Sequence, residues 1–421
     1  MSRVIICYDM DMYFAAVAIR DNPALKNKPI VIGALPHERG VVSTASYEAR
    51  KYGICSGMSS TEAFRRCPNA VFIHADIKRV VETSEIIKNI VADYSDKIEY
   101  VALDEAYIEM TDTRHLFHNG DIFKIMQEIK ERIVKATGCS CTIGAGYSKY
   151  SAKLASEENK PDGLGKIMNK KELLDIITNR PVRILHGVGK QVEQHFAEKN
   201  IKTVKDIQMK TVEYMIENFG VNGIGLYYMA WGVDDRDVLS SYEEIGIGNS
   251  ITLPQNISGL EQVKKAIAEP LKTACYRLKR KKRYAKNIQI KIRYGDFKTV
   301  TRAKQLNFPV NTLYECYKEV CFLLENRIES YSNIRLVGVR FSSLTDEKTV
   351  QFSLFEDSKN WEKVNKIDDI SYKLRELHGY KIVRDTIAID KKESSEVKND
   401  SRGFDTIGDY RTVTAIKKLY R

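Results

Sequence analysis

At 421 residues the chain is long enough for two to four domains of about 100–200 residues each. Apolar residues make up 43%, enough for packed cores, which excludes disorder as the state of the whole chain. The net charge of +11 points to an anionic partner, nucleic acid before a membrane surface; residues 241–341 carry nearly all of it, with 19 Lys/Arg against 9 Asp/Glu. No stretch of about 18 apolar residues occurs, so no membrane span is expected. The apolar run at residues 4–7 is too short for a signal peptide. The eight cysteines form no C-x-x-C pair and no His cluster accompanies them, which argues against zinc. Scattered free thiols fit a reducing compartment, and a soluble cytoplasmic protein is expected.

Residues 4–8 predict a buried strand that ends at Asp9. The following DMDMYFAAVAIR is rich in helix formers and predicts a helix, with Asp11 as a candidate cap. KPIVIG (28–33) and GVVSTA (40–45) predict short strands, and SYEARKYGI predicts a helix that stops near Gly53. KIEYVALDEAYIEM (97–110) predicts a hairpin with Leu103, Asp104 and Glu105 at its tip. A helix over about 121–137, a strand at CTIGAGYS (141–148) and a helix from about Tyr150 follow. The order β-α-β-β-α-β is that of a ferredoxin-like sheet, with residues 28–59 inserted after the first helix. Residues 166–240 are helical in pattern, with two helices around Gly187-Val188-Gly189; from about 243 longer strands alternate with basic helices. A last helix is expected at about 359–378, followed by a flexible polar stretch, KKESSEVKNDSRG.

Adjacent strands of one sheet would bring Asp9 together with Asp104 and Glu105. Three converging carboxylates repel one another unless cations join them, and hard oxygen ligands suit Mg²⁺. Two ions about 3.5–4 Å apart can activate a hydroxyl and stabilise a leaving phosphate oxygen, which is what nucleotidyl transfer needs. An Asp-Glu dipeptide alone also fits a solvated turn, so the surrounding motifs decide.

Those motifs are YDMDMYFAAVA (8–18), STASYEARKYGI (43–54), LDEAYIEMT (103–111) and SAKLASEENKPDG (151–163), in that order. Together they resemble the Y-family DNA polymerases, most closely the bacterial DNA polymerase IV (DinB-type) branch. GVGK, GLYYMAWGVDDRDV and IRLVGVRFSSL extend the likeness over about residues 1–355. The resemblance implies an α+β right-hand polymerase. Its parts would be a ferredoxin-like palm (1–18 and 77–165), small fingers (19–76), a helix-hairpin-helix thumb (166–240), an α/β little finger (241–345) and a tail (346–421). It implies template-directed DNA synthesis of low fidelity, in bypass of DNA damage. The catalytic carboxylates fall on Asp9, Asp104 and Glu105, with the Met10 carbonyl as a further metal ligand. Two Mg²⁺ ions are implied, with Mn²⁺ as a substitute. Tyr47, Arg50 and Lys160 match the residues that hold the incoming triphosphate, as cations and donors at phosphate should. Tyr47 and Arg50 also fit one face of an ordinary helix. Phe14 matches the steric gate against a ribose 2′-OH, backed by Tyr13, although its spacing fits a core residue equally. Ser43 and Thr44, with Gly33 and Ala34, are small where the family's fingers cover the nascent pair. The family's Ser two residues before its metal-binding Asp is Ala102 here.

Gly187, Gly189 and Lys190 resemble a helix-hairpin-helix, whose N–H groups at a helix start face a DNA phosphate; a simple helical turn has the same look. YRLKRKKRYAK (276–286) packs seven basic residues, among them Lys279, Arg280, Lys281, Lys282 and Arg283, and Lys291, Arg293 and Arg302 follow on predicted strands. Alternate strand residues share a face, so Lys291 and Arg293 can line one DNA-facing surface. Gln351, Leu354 and Phe355 resemble a sliding-clamp-binding peptide, Q-x-x-L-F, and fit an edge strand as well. The expected partners are primer-template DNA, deoxynucleoside triphosphates and a sliding clamp, with the protein monomeric and off the membrane. The rival readings are a non-catalytic DNA-binding scaffold, a metal-dependent nuclease and a basic structural protein. Only the polymerase uses every motif.

Overall fold

A run as continuously apolar as IICY has to be covered on both faces, and β1 (Ile5–Met10) is: it lies at the centre of a five-stranded sheet. The computed structural model describes residues 3–241 and 243–346, together with residue 372. These fall into two compact units that meet in sequence at Tyr242 and Glu243, with the loop His37–Gly40 counted in the second. Gln351, Leu354 and Phe355 lie outside the described residues, as does the expected helix at about 359–378 apart from Tyr372.

In the first unit, α1 (Tyr13–Asp21) leaves β1 and leads to an inserted sheet. Its strands β2 (Ile30–Gly33), β3 (Val42–Ala45) and β4 (Val71–Ile73) run in the order β3-β2-β4, with α2 (Tyr47–Arg50) and α3 (Ser60–Arg66) between β3 and β4 in sequence. Gly33 sits at a bulge with φ 153°, where a Cβ would stand 2.4 Å from the Val41 carbonyl oxygen, so only glycine fits. α2 is a single turn rather than the longer helix expected, because the chain turns at Gly53 (φ 73°) to bury Ile54. α4 (Ile77–Val91) is absent from the expected elements; Thr83 and Ser84 interrupt its buried apolar stripe.

β5 (Ile98–Tyr100) and β6 (Glu105–Glu109) form the expected hairpin. α5 (Ile122–Thr137) begins where the Asp121 carboxylate accepts from the Phe123 and Lys124 N–H groups and stops at left-handed Gly138, close to the expected range. Burial of its Ile125, Met126, Ile129 and Ile133 contributes about 1.5–3 kcal/mol for each side chain. β7 (Cys141–Gly146), α6 (Lys149–Glu157) and β8 (Leu164–Ile167) complete the sheet in the order β5-β6-β1-β7-β8. The first four strands have the ferredoxin-like order, and β8 extends the edge in parallel with β7. α6 lies directly on β7 because Gly144 and Gly146 have no side chains; a Cβ on Gly144 would stand 2.2 Å from the Ala152 carbonyl oxygen. That close approach brings Lys153 of α6 down onto Asp9 of β1 and Lys149 onto Glu99 of β5.

The helices α7 (Lys170–Ile177), α8 (Lys190–Glu198), α9 (Val204–Gln208) and α10 (Val212–Ala230) pack around Leu185, Phe196 and Ile207. The element before Gly187 is a 3₁₀ turn, Val182–Ile184, not the helix expected, since Pro181 fixes the chain just ahead of it. Residues 232–240 return over the sheet. Tyr147 Oη donates to the Gly232 carbonyl, the Tyr150 N–H donates to Asp234, and the Leu239 N–H donates to Glu99. Glu99 also holds the Lys149 ammonium at 2.5 Å, a buried ion pair that is satisfied on both sides.

The second unit is an antiparallel sheet with two helices on one face. In chain order it has β9 (Gly246–Ile257), α11 (Leu260–Arg280), β10 (Tyr284–Tyr294), β11 (Thr299–Val310), α12 (Leu313–Arg327) and β12 (Ile334–Thr345), with strand order β11-β10-β12-β9. Ile288, Ile290 and Ile292 of β10 pair across from Phe341, Val339 and Val337 of β12, and all six join the core beneath α11 and α12. Among the described residues no helix is long and apolar enough to cross a membrane.

Candidate active site and nucleic-acid surface

The site grows from the end of β1. Asp9 shares a face with Ile5 and Cys7, the face α6 covers, and stands directly opposite Glu105 in the antiparallel register. Asp104 precedes Glu105 in the hairpin turn. Its carbonyl accepts the Met10 N–H at 2.9 Å, and the Leu103 carbonyl accepts the Ser84 hydroxyl at 2.7 Å, so β1 and α4 both fix the turn. The structure therefore brings Asp9, Asp104 and Glu105 together, as their sequence contexts predict.

Two lysines meet these acids. Lys153 Nζ lies 2.5 Å from Asp9 and 2.8 Å from Glu105, and Lys160 Nζ lies 2.6 Å from the other Asp9 oxygen. Lys153 is not among the residues that the sequence singles out. No spacing marks it, because Lys160 lies beyond the end of α6 and the two lysines share no helical face. Burial works against the Lys153 ammonium, but Glu105 and Asp9 more than offset this and hold its pKa above the usual lysine range. Burial, with Asp9 alongside, pushes the Asp104 carboxyl up. Burial does the same to Glu105, against the pull of Lys153. Among the described residues no ion pair reaches Asp104.

The donor set is oxygen only, the choice of hard divalent cations. Among the described residues no three His, Cys, Asp or Glu side chains close into a cage by themselves. An ion held here would complete its shell with water and phosphate, as Mg²⁺ sites at nucleotides do.

Tyr47 opens α2, and its hydroxyl donates to Asp11 at 3.3 Å. The Arg50 guanidinium lies 4.8 Å over the Tyr47 ring, while its Nε donates to the Ala45 carbonyl. Lys160 thus meets the acids at Asp9, whereas Tyr47 reaches Asp11 and Arg50 is held against the Tyr47 ring and the Ala45 carbonyl. Ser43 and Thr44 lie on β3, half-buried. Phe14 is half-buried on α1 against Leu25, Ile30 and Ile32. The Tyr13 side chain is buried, its hydroxyl donates to the Val80 carbonyl at 2.7 Å and its ring lies 5.9 Å from that of Phe14, so it supports Phe14 from below. Asp11 is a correction. α1 is preceded by Met12 in a left-handed conformation with no side-chain cap, and Asp11 is spent elsewhere.

Gly187 (φ 93°) and Gly189 lead into α8, and Gly189, Lys190 and the Gly187 turn are exposed at its start. The basic run 276–286 is not one helix. Lys279 and Arg280 end α11, Lys281, Lys282 and Arg283 make the turn, and β10 begins at Tyr284. Arg277 is buried and donates to the Gly248 carbonyl. Lys281 pairs with Glu244, and Arg283 with Asp346 at 3.0 Å. The register puts Lys291 and Arg293 on the helix-free face of the sheet, opposite Thr301 and Thr299 and next to Gly338 and Leu336. Arg340, across from Gln289, shares that face and escapes the sequence reading. Arg302 does not share it: it pairs with Ile290, on the helix side, and its Nε donates to the Arg327 carbonyl at the end of α12.

Residues 8–157 match the impB/mucB/samB family, and residues 245–354 match the C-terminal domain of that family. A DNA polymerase IV of Streptococcus pyogenes serotype M1 is 37% identical over 349 residues, 82% of this chain and 95% of that protein. A DNA polymerase IV of Clostridioides difficile (strain 630) is 34% identical over 357 residues, 84% of this chain and 97% of the relative. Among solved structures, a Y-family DNA polymerase chimera of Dbh and Dpo4 covers 82% of this chain and 100% of its own, with 25% identity and a TM-score of 0.71. DinB from Sulfolobus solfataricus covers 80% and 98%, with 25% identity and a TM-score of 0.55. The fold is thus the right-hand polymerase fold, with the five-stranded sheet as its palm. Matched in both units, and related at this identity along most of its length, the chain belongs to the Y family of DNA polymerases, in the DNA polymerase IV (DinB-type) branch.

Proposed function

We propose that this translesion DNA polymerase joins deoxynucleotides to a primer 3′ end at a centre made by Asp9, Asp104 and Glu105. The observation that carries the reading is the register that sets Asp9 against Glu105, with the Asp104 turn bonded to Met10. Family membership carries a divalent-metal requirement; we read the metal as two Mg²⁺ ions, replaceable by Mn²⁺, held by the three carboxylates and the Met10 carbonyl. Bound there, the ions would activate the 3′-hydroxyl and stabilise the leaving pyrophosphate. Lys160, Arg50 and Tyr47 hold the triphosphate, and their charge and hydrogen bonds meet the negative charge that builds on the departing phosphates. Ala102 offers no hydroxyl beside the centre, so the carboxylates and the lysines carry the electrostatics. The test is primer extension on plain and damaged templates, with Mg²⁺ and with the metal chelated. A protein that binds DNA but extends no primer would be the scaffold of the rival reading.

In our domain reading, residues 1–18 and 77–165 are palm, 19–76 fingers, 166–240 thumb and 241–345 little finger. Phe14 stands at the base of the sugar site as the steric gate. Phe14→Ala is expected to admit ribonucleotides about 10²-fold or more better while keeping deoxynucleotide insertion, as loss of a steric clash worth about 3 kcal/mol would. Competing rNTP and dNTP incorporation measures it, and unchanged sugar discrimination removes the role. Gly33, Ala34, Ser43 and Thr44 leave room over the nascent pair, which supports low fidelity.

DNA is held at the α8 start through Gly187, Gly189 and Lys190, and on the helix-free sheet face through Lys291 and Arg293. Lys279 and Arg280 at the end of α11, with Lys281, Lys282 and Arg283 in the turn after it, add to the field. Contacts of this kind grip phosphate and do not read sequence. Lys291→Ala with Arg293→Ala is expected to weaken binding to every sequence alike and to flatten the salt slope by about 2. Arg302→Ala, on the other face, leaves the slope unchanged. Anisotropy titrations across salt check both, and equal effects of the two changes would overturn the assignment of faces. We read Gln351, Leu354 and Phe355 as the sliding-clamp peptide, and the protein as a monomer acting on DNA in the cytoplasm. The eight cysteines form no disulfide, which is consistent with that compartment.

A further inference from the structure

Asp11 is among the most enclosed charged groups in the first unit, with 1% of its surface exposed. A carboxylate so deep in the protein costs several kcal/mol unless donors surround it. Asp11 has three donors, each from a different segment. The Thr142 hydroxyl of β7 donates to Oδ1 at 2.9 Å, the Tyr47 hydroxyl of α2 donates to the same oxygen at 3.3 Å, and the Asp162 N–H donates to Oδ2 at 2.9 Å. Thr142 anchors the carboxylate to the palm sheet and also accepts from the Gly163 N–H at 3.4 Å. The other two donors belong to the arms that carry Tyr47 with its stacked Arg50, and Lys160.

We infer that Asp11 is a positioning residue for the incoming triphosphate, joining the α2 arm of Tyr47 and Arg50 to the Lys160 arm. The inference rests on the reading of Tyr47, Arg50 and Lys160 as triphosphate ligands. The join is geometric. Tyr47 lies on the inserted sheet's side and Lys160 follows α6, and one buried carboxylate fixes the distance between them. Burial, with Asp11 alongside, pushes the Tyr47 hydroxyl up to about 12, so it keeps its proton and remains the donor to Asp11. With its hydroxyl held, the Tyr47 ring stays put as a platform for Arg50.

The test is Asp11→Asn. Asn keeps the shape, but the charge is lost and one of its two terminal atoms becomes an N–H₂. With that group toward Asp162 it faces a backbone N–H, donor against donor; turned over, it forces the Thr142 and Tyr47 hydroxyls to accept where they now donate. The expected result is a KM for dNTP raised about 10-fold, with kcat changed far less, because the arms lose register while the carboxylate centre stays intact. Mn²⁺ affinity, read by quenching of protein fluorescence, is expected to remain that of the parent. Tyr47→Phe, which removes only the hydroxyl that Asp11 holds, is expected to raise KM in the same sense and to add little in the double variant. It also stands in should the Asp11→Asn protein not fold. Lys160→Ala serves as the control. If Lys160→Ala raises KM while Asp11→Asn and Tyr47→Phe do not, the positioning role is overturned alone. If none of the three moves KM, the triphosphate reading falls and takes the positioning role with it.

Discussion

Asp104→Ala is expected to abolish primer extension, by about 10³-fold or more, and to leave the protein at least as stable as its parent. The two halves of this expectation come from the same residue. Lys153 and Lys160 sit on Asp9 and Glu105, so Asp104 is the acid of the trio that no ion pair reaches among the described residues. Burial, with Asp9 beside it, raises its carboxyl pKa. A carboxyl raised in the fold is better tolerated protonated than charged. Its contribution is most favourable at acid pH and is lost as the pH climbs through the folded value, so at neutral pH the charge costs stability. Alanine removes that cost with the side chain. The turn itself rests on backbone bonds, from the Met10 N–H to the Asp104 carbonyl and from the Val101 and Ala102 N–H groups to the Glu105 carbonyl, which alanine keeps. Single-turnover insertion and a thermal melt of the same preparation decide the matter. Lost activity with a melting temperature well below the parent would mean that Asp104 holds the fold, and retained activity would remove it from the centre. Functional sites commonly carry charge that the fold would be more stable without.

The main lines of the fold are legible in the chain because the hydrophobic pattern is strong where strands lie in the sheet centre. Residues 4–8 and 141–148 read as strands, and β1 (Ile5–Met10) and β7 (Cys141–Gly146) lie there; α5 is bounded by Asp121 and Gly138, which announce themselves as caps. The pattern fails where burial is mixed with polar groups. α4 buries Thr83 and Ser84 on its inner face and so loses its period, and α6 is buried nearly all round despite its two lysines. At the site, Asp9, Asp104 and Glu105 are legible from strand ends and a hairpin tip, elements that local sequence determines. Lys153 and Asp11 are not. Each owes its role to partners far along the chain, Lys153 through the glycines that let α6 settle on β7, and Asp11 through Thr142, Tyr47 and Asp162. Spacing does not report a long-range contact of this kind. The face that Arg302 takes is not legible for a simpler reason: a shift of one residue on a strand changes its face, and only the register settles which face is which.

The largest change in stability is expected at Lys153. Its side chain is 11% exposed, and its ammonium bridges Asp9 and Glu105, the acids that face each other across β1 and β6. In Lys153→Met the stem of the side chain is kept and the charge is lost. Asp9 retains Lys160, but Glu105 is left without a partner in a buried setting, a loss of about 3–5 kcal/mol when one member of such a pair is removed. Melting in chelator should therefore fall well below the parent. A divalent cation can supply the missing charge, so Mg²⁺ is expected to raise the melting temperature of the variant by more than it raises that of the parent. Lys153→Arg keeps the charge and should melt closer to the parent, though its planar fork cannot match the single point between two carboxylates. Activity alone would not separate a damaged fold from a damaged site, whereas the metal dependence of the melt does. If Lys153→Met melts with the parent in chelator, or gains no more from Mg²⁺ than the parent does, the lysine is not what holds the two acids together.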